Sequence, residues 1–91
     1  MRTIYLILNI LYSNGAKSKL YALSQKDIIE ALEADGEKWS ERTIYNKIRE
    51  LSKNGYILDG LRQGNAKTFY ISNAGINWMK DVEGATENEQ E

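Results

Sequence analysis

Three side chains in the middle of the chain could make hydrogen-bonded contacts to base edges. Arg42, Asn46 and Arg49 fall at i, i+4 and i+7. At roughly 100° per residue they share one face of a helix, with Lys53 one turn further on. Arg can donate two hydrogen bonds to guanine, and Asn can make two to adenine. The opposite face of the same stretch is apolar, through Ile44, Ile48 and Leu51. A short helix with one buried face and one cationic, hydrogen-bonding face suits a groove of nucleic acid. The solvated-surface reading of the same charges stands beside it, because charged outer faces are ordinary on surface helices.

Other chemistries are poorly supplied. The 91 residues contain no histidine and no cysteine. The usual general base, the usual metal ligand, the thiolate site and the disulfide framework are therefore missing. No carboxylate pair with an arranged nucleophile, phosphate loop or metal cluster is evident. We read no enzyme, no cofactor and no metal. The formal charge is −1, but it is unevenly placed. Residues 1–80 hold all 12 Lys and Arg against eight of the 13 acids, a net +4, and residues 81–91 hold the other five acids. Location says more than the sum. No apolar run approaches the ~20 residues of a membrane span. No small-residue cleavage site follows the apolar start, so the chain reads as intracellular.

The elements that must position those side chains follow from periodicity. Ile4, Ile7, Leu8 and Leu11 mark a helix face over 3–12. Leu6 and Ile10 form a second apolar pair on its other side. Either they are covered by the same chain, or they meet a second subunit. Asn14-Gly15 is a turn, and Leu20–Leu23 alternates weakly, as a short strand would. Ser24-Gln25-Lys26-Asp27 is a capping box opening a second helix, with Ile28, Ala31 and Leu32 inward, ended by Asp35-Gly36. Ser40 caps the third helix and Asn54-Gly55 stops it. Trp39 packs back on that helix as a staple, or stacks on a sugar or base.

Tyr56–Arg62 and Lys67–Ile71 read as two strands joined by Gln63-Gly64-Asn65-Ala66. Ile57, Leu61, Phe69 and Ile71 are expected to face the core. Arg62, Gln63, Asn65 and Lys67 stand at the hairpin tip. Ser72 or Asn73 caps a last helix running to about Val82, with Ile76 and Met79 inward and Trp78 and Val82 on a separate face. The domain is expected over 1–83, with a disordered acidic tail over 84–91.

The order helix, short strand, helix, helix, hairpin, helix carries a resemblance. Thr43-Ile44-Tyr45, then Leu51, Gly55 and Ile57, then Tyr70, Ser72 and Gly75 recur together in winged-helix transcriptional regulators. The chain resembles the PadR-like and MarR-like families over about residues 3–82. The resemblance implies an α+β, mainly α, winged helix-turn-helix fold with a three-helix core, a two-stranded wing and a C-terminal helix. It implies a cytoplasmic transcriptional regulator, a repressor, acting as a homodimer on double-stranded DNA. The candidate DNA contacts are Ser40, Arg42, Thr43, Tyr45, Asn46, Arg49 and Lys53 on the helix and Arg62, Asn65 and Lys67 on the wing. The candidate dimer contacts are Leu6, Ile10, Trp78 and Val82. The competing reading is a winged-helix module that binds protein through those apolar pairs and does not bind DNA.

Overall fold

The computed structural model describes residues 2–90, with side chains through residue 84. Four helices surround a small antiparallel sheet: α1 (Arg2–Ser13), α2 (Gln25–Ala34), α3 (Glu41–Lys53) and α4 (Asn73–Gln90), with β1 (Leu23–Ser24), β2 (Ile57–Asp59) and β3 (Thr68–Ile71). The sequence reading ends the last helix near Val82 and places a tail over 84–91. α4 instead continues to Gln90, and from residue 85 on the side chains lie outside the described ones.

α1 is the centre of the core. Ile7, Leu8 and Leu11 are fully buried, and the helix packs against α2, α3, α4 and β3. Ile10 is only 4% exposed, so its side chain is used inside its own domain. This corrects one half of the apolar pair expected to meet a second subunit. A helix that is apolar nearly all round is enclosed because each of its faces gains by leaving water. Leu6 is only half-buried. At the rim, Tyr5 donates its hydroxyl proton to the Glu83 carboxylate at 2.8 Å, tying α1 to α4. Arg2 pairs with Glu37 at the other side.

The chain leaves α1 through Asn14-Gly15, with Gly15 at φ 74°. Ala16 then accepts from the Ile71 amide at 2.8 Å, which fixes β3 against the end of α1. Instead of a four-residue strand over 20–23, a single 3-10 turn (Lys19–Tyr21) precedes the two-residue β1. Ser24 serves both β1 and the α2 cap. Its Oγ accepts from the Asp27 amide at 3.2 Å, and Asp27 accepts from the Ser24 amide at 3.1 Å, so the expected capping box is present.

The sheet order is β1-β3-β2, with Ile57 opposite Ile71 and Asp59 opposite Phe69. Ile57, Phe69 and Ile71 are buried as expected, whereas Leu61 is 57% exposed. The reason is local. β2 ends at Asp59; the Gly60 amide still bonds to the Thr68 carbonyl at 2.9 Å, and Gly60 passes so close to Ala22 that no side chain would fit there. The Leu61 amide then bonds to the Lys19 carbonyl at 3.2 Å rather than continuing the ladder. Leu61 has left the strand alternation that assigned it inward.

The Tyr-x-Ser-x-x-Gly pattern has a physical basis at the start of α4. The Ser72 hydroxyl accepts from the Gly75 amide at 3.1 Å and donates to the Gly55 carbonyl. The Ser72 amide bonds to the Tyr56 carbonyl at 3.0 Å. A side chain at Gly75 would collide with that same carbonyl. Glycine at this position therefore lets α4 start directly against the exit of α3.

Candidate nucleic-acid interface

α3 is held by its buried stripe, Ile44, Ile48 and Leu51, all at 2% exposure or less. Burying three such side chains contributes roughly 1.5–3 kcal/mol each relative to leaving them exposed. That anchorage fixes the direction of the opposite face, where Arg42, Tyr45, Asn46, Arg49 and Lys53 are all exposed. At its N-terminus the Ser40 Oγ accepts from the Thr43 amide at 3.1 Å and donates to the Thr43 Oγ1 at 2.8 Å. The Ser40 hydroxyl proton is thus committed to the cap. At the other end Gly55, at φ 76°, turns the chain, and the Tyr56 amide returns to the Leu51 carbonyl at 3.0 Å.

The outer face of α3 borders an open groove of about 1240 Å³ lying between α2, α3 and the wing. Of the sequence-predicted residues, the groove brings together Tyr45, Asn46, Arg49, Lys53 and Lys67. Ser40, Arg42, Thr43, Arg62 and Asn65 lie outside its lining. Arg42 stays exposed on the first turn of α3, and Arg62 and Asn65 stay on the wing tip. That tip is tight. Gln63 and Ala66 exchange amide-carbonyl bonds at 3.0 Å around Gly64 (φ 60°) and Asn65, and Arg62 Nη1 donates to the Asn65 carbonyl at 3.2 Å. A positive φ at the first central residue alone is the pattern of a II′ hairpin turn, which suits the twist of the flanking strands.

Gln25, Lys26, Ser52 and Gln63 also line the groove, although their spacing does not mark them as contacts. Gln25 Nε2 donates to the Glu41 carbonyl at 3.2 Å, which holds the first turns of α2 and α3 side by side. The capping box announced where α2 begins, but no periodicity announces which neighbouring helix that first turn will meet. The lining is also balanced in charge: Lys26, Arg49, Lys53 and Lys67 face Asp27, Glu30, Glu50 and Asp59. Asp27 is engaged in its cap, and Glu50 lies 3.7 Å from Lys47.

Trp39 is half-buried against the core, and its indole N–H is shut off from solvent with no partner among the described residues. Its place favours the staple role over stacking on a base. Trp78 packs on Tyr56, with ring centroids 6.1 Å apart, and is half-buried, as is Val82. Among the described residues, no group of three or more acidic side chains could hold a metal, and no helix is long and apolar enough to cross a membrane.

No family model matches the chain, and no curated protein does. Eight chains of solved structure do. The S. aureus MepR–DNA complex superposes with a TM-score of 0.73 at 18% identity, covering 100% of this chain and 68% of that one. A PadR family transcriptional regulator from Eggerthella lenta DSM 2243 gives 0.77 at 17% identity, covering 93% and 71%. The ferric uptake regulator from Francisella tularensis, solved with iron, gives 0.65 at 19% identity, covering 80% of this chain and 52% of that one. At these identities the likeness is one of fold: the chain is a mainly α winged helix with a hairpin wing, and it spans about half to seven-tenths of the length of these regulators.

Proposed function

We propose that this chain is a small sequence-specific double-stranded-DNA-binding protein and a transcriptional regulator. α3 enters the major groove, and the wing, residues 56–71, contacts the adjacent minor groove or its phosphates. The observation that carries the reading is the anchored α3. Its exposed face sets Asn46, Arg49 and Lys53 along a groove whose far wall supplies Lys67 and whose near wall supplies Lys26. Cations supply affinity and its salt dependence, and Arg and Asn supply base readout. Arg42 and Thr43, at the start of α3, and Arg62 and Asn65, at the wing tip, extend the contact to the flanking backbone. The fold neighbours support this reading, since MepR is described in complex with DNA and the Eggerthella lenta protein as a transcriptional regulator.

The test is electrophoretic mobility of wild-type and Arg49→Ala protein on a duplex recovered from a random pool. Loss of the preferred complex in the variant supports the groove assignment, and equal affinities refute it.

We further propose a cytoplasmic homodimer on an inverted repeat, with Leu6, Trp78 and Val82 as the interface. Ile10 is excluded because it is already buried. Sedimentation of wild-type and Leu6→Ser protein at micromolar concentration checks this, and a wild-type monomer rules it out.

One observation favours a second reading. The charge balance of the groove weakens the long-range attraction that DNA binders use. A protein-interaction module with incidental basic side chains would fail to bind heparin at low salt, whereas a DNA binder would be retained.

A further inference from the structure

We propose that Tyr45 is a positioning residue: its ring holds the Arg49 guanidinium in the groove, and its effect on base discrimination passes through Arg49. The inference rests on the DNA reading above and asks more of it. The Arg49 guanidinium carbon lies 5.8 Å from the Tyr45 ring centroid. The two residues are one helical turn apart, at i and i+4, where side chains on a helix meet. Both line the groove.

Tyr45 is 48% exposed and takes no part in the core, so packing does not account for it. Among the described residues no carboxylate lies within ion-pairing distance of Arg49, and the ring is the group that orients it. The charge balance makes this matter. With four acids lining the same groove as four cations, general attraction is weak, and recognition depends on a few side chains already in place. An Arg held over a ring loses less freedom when it forms its two bonds to guanine.

The role assigned to Tyr45 belongs to the face of the ring, not to its hydroxyl. That separates it from a hydrogen-bonded phosphate or base contact, which would use the O–H; a ring contact to a base is separated instead by the double variant, whose losses would then add.

The experiment measures binding to a duplex recovered from a random pool by the wild-type chain, and to single-pair variants of that duplex. The proteins compared are wild type, Tyr45→Phe, Tyr45→Ala, Arg49→Ala and the double alanine variant. Arg49→Ala is expected to lose discrimination at one G·C pair by about 5- to 150-fold. Tyr45→Ala is expected to lose about two- to fivefold at that same pair, the range of an exposed cation–π contact, and to bind the other variants as wild type does. Tyr45→Phe should match wild type, and the double variant should be no worse than Arg49→Ala.

Losses in Tyr45→Ala spread evenly over all pairs, a Phe variant as impaired as the Ala variant, or additive losses in the double variant would each overturn the inference. A harmless Tyr45→Ala beside a crippled Arg49→Ala overturns it alone. An Arg49→Ala protein that discriminates normally overturns it together with the groove assignment.

A second readout needs no DNA. The Arg49 Nε–H resonance should carry an aromatic ring-current shift in wild type and Tyr45→Phe, and lose it in Tyr45→Ala. No such shift in the wild-type protein also overturns the inference.

Discussion

α1 and α3 are of nearly equal length, 12 and 13 residues, and each presents an apolar stripe. They end in opposite situations. α1 is apolar on a second side as well, and the domain closes over it through α2, α3, α4 and β3. α3 carries charge and amide on its second side, and that side is exposed. Covering Arg42 or Arg49 would cost their hydration without a paired charge to offset it. The difference teaches that the surface left for a partner is decided by what the core cannot accept. An additional apolar face is as readily absorbed as displayed.

Breaking the comparison at its buried side should give the largest effect. Ile7→Ala or Leu11→Ala removes a fully buried side chain and is expected to cost about 2–5 kcal/mol in urea unfolding. The exposed side behaves differently. Arg49→Ala should leave the unfolding midpoint nearly unchanged and remove about 1–3 kcal/mol of discrimination at one base pair, read by binding to single-pair variants. Lys67→Ala should weaken binding to all duplexes alike and lower the salt slope of affinity by about 1. Such uniformity would distinguish the wing from α3.

The smallest effect sits at the rim of α1. The Tyr5 hydroxyl is held above its ordinary value of 10.0, first because it donates to Glu83 and then through burial and the carboxylate charge. A group whose pKa rises on folding stabilises the fold below its unfolded value, and that contribution is lost as pH climbs through the folded value. Wild-type protein should therefore lose melting temperature faster than Tyr5→Phe as pH rises past 10, with the two profiles parallel near neutrality.

The sequence made some features plain and hid others, for definable reasons. Caps were legible because they are written in adjacent residues: Ser24 with Asp27, Ser40 with Thr43, and the Asn54-Gly55 stop. The stripe of α3 was legible because its two faces differ so strongly in polarity. The fate of Ile10 was not, since an apolar side chain does not say whose core it joins. Leu61 misled because the strand ends at Asp59 and the Leu61 amide turns to the Lys19 carbonyl, a partner far along the chain that spacing does not announce. The groove was half legible. Asn46, Arg49 and Lys53 on α3 and Lys67 on the wing followed from spacing, whereas Ser52 and Gln63 did not, and Gln25 and Lys26 joined it through the packing of α2 beside α3.

The Ser72 hydroxyl, bonded to the Gly75 amide and to the Gly55 carbonyl, has a consequence for cooperativity. One oxygen satisfies the opening of α4 and the closing of α3 together. Two helix ends that would otherwise fray independently are thereby joined into one unit of local opening. The frequency with which the last turn of α3 comes loose is set in part by α4, a helix that lines no part of the groove. Amide protection at the two ends should accordingly rise and fall as one quantity.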